Sequence, residues 1–216
     1  MAEDERQESR CPPGGHGDRW TRVGLWLVGA TMGYNAIEAL VAVWSGAVAD
    51  SIALVGFGLD SIIELAAAAV LFWRLSVEAG GADEEAVESA ERRVHRFVGF
   101  TFFMLCAYVL AASAWTLTGH GQPAESIVGI VLAIASLIVM PVVSWGKLRA
   151  AREIPSPALR AEAKETLACS YLSFALLLGL LANALGGWWW ADPVAAILMT
   201  PWLVREGIEG VRGEEE

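Results

Sequence analysis

A chain of 216 residues that is 55% hydrophobic, 19% charged and of mean hydropathy +0.47 is too apolar for a water-soluble domain of its length. Its formal net charge of −10 comes from acids gathered at Glu3 to Glu8, Glu78 to Glu91 and Glu214 to Glu216, and the lack of a strongly basic region excludes nucleic acid as a partner. Cys11, Cys106 and Cys169 stand far apart with no CxxC pair, which excludes a disulfide framework.

Residues 1–22 are polar, carry the run CPPGGHGD and contain no signal-peptide apolar core, so they read as a disordered N-terminal tail. Crossing a bilayer takes about 20 mostly apolar residues in a helix. Stretches near 23–46, 52–73, 97–118 and 126–146 meet or approach that length, followed by 165–186 and a short one at 191–204. Inside lipid the backbone must bond to itself, so these segments are helices. The expected fold is all-α: a polytopic membrane domain over 23–212 with six transmembrane helices, then an acidic tail at 213–216 and no soluble C-terminal domain.

The links between these stretches set the orientation. Arg6, Arg10, Arg19 and Arg22 precede the first span, and Arg74, Arg92, Arg93 and Arg96 lie between the second and third. Lys147, Arg149, Arg152, Arg160 and Lys164 lie between the fourth and fifth, and Arg205 and Arg212 follow the sixth. The short links at Ala47 to Ser51, Gly119 to Ala124 and Gly187 to Ala191 carry no Lys or Arg. That partition follows the positive-inside rule for an even number of spans with both termini cytoplasmic. Trp115 and Trp188 to Trp190 mark the outer boundary, while Trp20, Trp73 and Trp145 mark the inner one. Gly29 and Gly33 form a small-xxx-small pair suited to close helix packing, and Pro141 interrupts the fourth span. Asp192 followed by Pro193 reads as the N-cap and first turn of the sixth helix.

Glu38, Asp60, Glu64 and Glu165 lie within or at the edge of these spans. A carboxylate at the bilayer centre costs about 3 kcal/mol on insertion scales. No Lys or Arg stands at the depth of Asp60 and Glu64, so each is protonated, faces water or holds a cation. Asp60 and Glu64 are four apart and share a helix face, as do Glu165 and Cys169. Together they offer three oxygens and one sulfur, a donor set for a divalent metal, with the thiolate favouring zinc over magnesium or calcium. For Asp60 and Glu64 the competing reading is a protonated, hydrogen-bonded pair. Glu165 also reads as a helix-start carboxylate near the cytoplasmic boundary, a depth that matches Asp60 and Glu64 only if the helix begins soon after Pro157. Glu38, with Asn35, either assists the site or handles protons, or else bonds Ser and Thr hydroxyls across helices. Cys106 reads as packing. His16, His95 and His120 all fall outside the spans, and His120 lies on an outer link where an exiting ion would pass.

The stretch YNAIEALVAVWSGAVADSIALVGFGLDSIIE (Tyr34 to Glu64) resembles the first two helices of cation diffusion facilitator transporters, with Asn-x-x-Glu in helix one and a paired acidic motif in helix two. LRAEAKETLACS (Leu159 to Ser170) resembles the start of their fifth helix, and DPVAAILM (Asp192 to Met199) looks like their sixth. The GFGLDSIIE form is especially similar to the branch that includes the transmembrane protein 163 group. The resemblance implies export of zinc or a similar divalent ion (manganese, cobalt, cadmium or iron) from the cytoplasm by proton antiport. It also implies a homodimer in the plasma or inner membrane. By carry-over, Asp60, Glu64, Glu165 and Cys169 are the metal ligands. Glu165 and Cys169 replace the family's usual His or Asp and Asp, and the usual His-rich loop has a short, basic counterpart. Glu162 is read as a guide for cations entering the cavity. No prosthetic group is expected. A membrane metal sensor or accessory subunit is the rival reading. An intramembrane hydrolase is disfavoured because no His or Lys within the spans would activate a nucleophile.

Overall fold

The computed structural model describes residues 16–78, 84–119, 122–153 and 157–212. The expected tail through residue 15, Cys11, His120 and the acidic end at 213–216 lie outside the described residues. Among the described residues there are six α helices and no strand: α1 (His16–Ala49), α2 (Ile52–Glu78), α3 (Glu84–Leu117), α4 (Ile127–Glu153), α5 (Pro157–Gly186) and α6 (Ala191–Arg212). Helix α1 starts at His16, so residues 16–22 of the expected tail are helical. Helix α5 starts at Pro157, as the depth of its acidic residues required.

Five helices are long and apolar enough to cross a membrane. Helix α6 is the exception. Its 22 residues reach about 33 Å at the helical rise, but Asp192, Arg205, Glu206 and Glu209 dilute its hydropathy. It nevertheless packs along α3 and α5 within the same layer.

The helices close a ring in the order α1, α2, α3, α6, α5, α4, and α2 also reaches across to α5 and α6. Burial follows from this order. Of the spanning windows of α2 and α5, 56% and 50% are buried, against 28–39% for α1, α3 and α4. The outer helices turn Trp26, Ile37, Leu40, Trp44, Phe100 and Ile138 outward, as a lipid-facing surface requires.

Glycines set how closely the helices approach, though not the pair expected. Nothing lies within 4 Å of a Cβ built at Gly29 or Gly33, and both are exposed. The α1–α2 contact instead uses Gly46 and Gly58, where a Cβ would lie 2.8 Å from the backbone nitrogens of Val55 and Val43 respectively. Gly99 plays this part between α3 and α6, at 2.7 Å from Val211 N. At the end of α5, Gly187 adopts φ 63° as the left-handed cap, with its N–H on Asn183 O at 2.9 Å and that of Trp188 on Ala182 O at 3.4 Å.

Three links meet at one end of the bundle. The Ala124 N–H donates to Ala49 O at 2.7 Å, and Asn183 Nδ2 donates to Pro123 O at 2.9 Å. The opposite end carries Arg149, stacked over both Trp20 and Trp145 at 5.9 and 5.8 Å. The ends therefore differ in charge as the sequence partition requires.

Gly58→Leu should force α1 and α2 apart and cost about 1–3 kcal/mol, the scale of overpacking. Gly33→Ala should leave the bundle unchanged. Melting temperatures in detergent compare the two, and equal losses would refute this account of the contact.

Candidate metal centre

Asp60 and Glu64 stand one turn apart on α2, and Cys169 faces them from α5. One ligand atom from each of the three lies within 4.8 Å of the others. Asp60 is 2% exposed and Cys169 fully buried, while Glu64 is half-buried. The cluster thus sits where the two most buried helices meet. Two oxygens and a sulfur within one ion's reach form a donor set for a borderline-soft divalent cation.

Asn35 of α1 supports this cluster. Its Nδ2 donates to Glu64 Oε2 at 3.0 Å, while its buried Oδ1 has no hydrogen-bond partner. Glu38, one turn further along α1, is built into a different arrangement. It accepts hydrogen bonds from Ser61 at 2.9 Å and from Ser136 of α4, whose hydroxyl also pairs with Tyr34 at 2.7 Å. Of the two readings of Glu38, the hydroxyl contacts across helices are the ones observed.

Glu165, expected as the fourth ligand, is not among the three residues whose ligand atoms lie within 4.8 Å of one another, though its charge acts on both Asp60 and Glu64. Four residues before Cys169, it sits one turn nearer the start of α5. Glu162 departs further from expectation. It is buried, and its Oε1 pairs with Lys147 Nζ at 2.9 Å. The same ammonium donates to Thr166 Oγ1 at 2.9 Å, and Ser144 donates to Ala163 O at 2.6 Å, so α4 and α5 are bonded together here. Glu162 is thus an ion-pair partner and not a free guide for cations.

Lys147 is itself a correction. The expected fourth span ends at Gly146, which put Lys147 in the cytoplasmic link. Helix α4 continues to Glu153 and buries Lys147 completely. Its long stem carries the charge inward to Glu162, and its field is felt at Glu64 and Glu165. No hydropathy window reveals such a pair, although Lys147 and Glu162 flanking one link offered a signal. Glu206, past the sixth apolar stretch on α6, was also missed. It acts on both Asp60 and Glu165, and burial, with help from Glu209, pushes its carboxyl up to about 7.

Asp192 does not cap its own helix. It lies in the first turn of α6, fully buried, and accepts hydrogen bonds from Ser51 and from the Ile52 and Ala53 N–H groups at the start of α2. Ser51 Oγ accepts the Leu54 N–H at 3.2 Å, completing the cap. Sequence reasoning found the cap but assigned it to the wrong helix.

The cation efflux transmembrane domain family matches residues 30–209. An uncharacterized transporter of Synechocystis sp. is 29% identical over 154 residues, covering 70% of this chain and 50% of that protein. The chain spans about half the length of the curated relative it matches. The match runs from the middle of α1 to near the end of α6, and so includes every residue of the cluster. The chain belongs to the cation efflux family and is a multi-pass membrane protein.

Lys147→Met should leave Glu162 as an uncompensated buried charge and destabilise the protein by about 3–5 kcal/mol. Adding Glu162→Gln should recover most of that loss. A thermal-melt cycle over the two single variants and the double one checks this, and additive losses would refute the pairing.

Proposed function

We propose that this cation efflux family member exports a divalent metal ion, zinc foremost, from the cytoplasm in exchange for protons. Asp60, Glu64 and Cys169 hold the ion in transit. The observation that carries this reading is the convergence of two carboxylates and a thiol, from two different helices, to within 4.8 Å in the bundle interior. Like charges this close repel unless a cation neutralises them. Lys147, a buried cation whose charge reaches Glu64, is held by Glu162 and Thr166.

The donor set supports the choice of metal. A thiolate ranks zinc, cadmium and cobalt above manganese and iron, and far above magnesium and calcium. Three protein ligands leave a fourth position open, which suits an ion that must leave again better than a closed structural site would. Glu165, one turn nearer the cytoplasmic end on the same face of α5, is the carboxylate an ion arriving from that side would meet before Cys169. Proton exchange follows from the ligands. Carboxylate and thiol must lose protons to bind the ion, so protons arriving from the other side compete it off. No step requires bond chemistry on a substrate or a prosthetic group. The resemblance to cation diffusion facilitators supports a homodimer in the plasma or inner membrane.

In proteoliposomes, zinc flux should follow an imposed pH gradient and should vanish in Asp60→Asn with the protein still folded. Cys169→Ser should weaken zinc and cadmium binding at least roughly tenfold and manganese binding less, because it removes the soft donor. Unchanged flux in Asp60→Asn would sink the assigned site. No flux of any metal from wild-type protein that still binds zinc would instead favour a sensor or accessory subunit.

A further inference from the structure

Asp192 is a fully buried carboxylate well separated along the bundle from the metal cluster. Its Oδ1 accepts from the Ser51 hydroxyl, and its Oδ2 from the N–H of Ile52 at 2.8 Å and of Ala53 at 3.3 Å. These amides open α2 and have no partner within their own helix. A carboxylate here meets both free N–H groups and the positive end of the helix dipole. Such charge-assisted bonds are about twice as strong as neutral ones. Helix α6 is therefore fastened end-on to the helix that carries Asp60 and Glu64.

This fastening belongs to a larger closure. The Ala124 N–H bonds Ala49 O, tying the α3–α4 link to the end of α1. Asn183 of α5 donates to Pro123 O in that same link. Gly179 of α5 lets α6 come close, since a Cβ there would lie 2.6 Å from the Ala195 Cβ. The α3–α4 link, the ends of α1 and α5 and the starts of α2 and α6 thus knit into one rim, at the end where the links carry no Lys or Arg. Asp60 lies eight residues along α2 from Ile52, about 12 Å at the helical rise. An ion leaving the cluster on this side has this rim to pass.

Resting on the transport reading above, we propose that Asp192 is the latch of the outer gate. Its grip on the α2 N-terminus holds the rim shut while the cluster is open to the cytoplasm, and its release frees the end of the ligand-bearing helix. Asp192 touches none of the cluster residues, so it acts as a positioning residue and not as a ligand.

Cys169 provides the reporter. In a Cys11→Ser, Cys106→Ser background it is the one remaining thiol, and a charged, membrane-impermeant methanethiosulfonate can be applied to either face of oriented proteoliposomes. Asp192→Ala should raise Cys169 labelling from the link face roughly tenfold relative to the opposite face, as a shift in the closed-to-open population would. Asp192→Asn should fall between that variant and wild type. Zinc affinity of the detergent-solubilised protein should stay within about threefold of wild type, since a population shift alone changes affinity only modestly. A lower melting temperature with no change in the ratio of labelling between faces would mean a folding cap only and would overturn the latch. If Asp192→Ala yields no folded protein, Ser51→Ala decides: it should raise the ratio by about threefold through loss of one bond, and an unchanged ratio overturns the proposal. Labelling requires no transport. Wild-type protein without zinc flux would therefore count against the transport reading, while the labelling ratio would still judge the latch.

Discussion

Holding two carboxylates one turn apart on a helix buried inside an apolar bundle is the constraint on which the rest of this structure depends. An uncompensated charge at that depth is expensive, and two together are worse. The surrounding side chains respond by sorting the acids into different environments. Glu38 is given to the hydroxyls of Ser61 and Ser136. Glu162 is given to Lys147. Asp192 is given to the amides of α2. Asp60 and Glu64 are left facing a cysteine, and Asn35 lends Glu64 a hydrogen bond from α1. The candidate metal cluster is what remains once Glu38, Glu162 and Asp192 have found partners in the protein.

That sorting needs helices close enough for short side chains to reach. Gly46 and Gly58 bring α1 and α2 nearly backbone to backbone, which is how Asn35 and Glu38 come to serve Glu64 and Ser61. A larger residue at Gly58 would push α1 outward and break contacts that carry no hydrophobic signal of their own. Packing at one glycine and polar contacts around the candidate metal cluster are therefore one feature of the α1–α2 pair.

Much of this was legible in sequence. Lengths of apolar runs and the one-sided distribution of Lys and Arg gave the helices and the end at which three links gather. The spacing of Asp60 with Glu64 marked the α2 half of the cluster, and Cys169 marked the α5 half. What escaped were contacts between segments distant in sequence. Helical spacing put Glu165 on the face of Cys169, but it could not say that α2 passes nearer Cys169. Hydropathy ended the fourth span at the first charge, whereas a lysine stem is long enough to extend the helix and bury its own ammonium against α5. Asp192 kept the capping chemistry its Asp-Pro pair announced, but which helix it capped depended on the three-dimensional approach of α6 to α2. Gly29 and Gly33 matched a packing motif that many membrane helices carry, and the bundle draws on other glycines.

The path of α5 explains why the protein's own Lys147 does not enter the candidate metal cluster. Glu162 and Thr166 are four apart and face α4, where both hold Lys147. Glu165 and Cys169 are also four apart, but offset by three residues, which at about 100° per residue turns their stripe some 60° away. One helix thereby presents two adjacent faces of opposite purpose. The first holds Lys147 through a carboxylate and a hydroxyl within hydrogen-bond distance of its Nζ. The second contributes a soft sulfur that an ammonium does not seek but a borderline-soft metal does. The ammonium is held where it stands by its bonds to Glu162 and Thr166. These two bonds keep Lys147 on the first stripe, and Cys169 on the second is left facing Asp60 and Glu64 of α2.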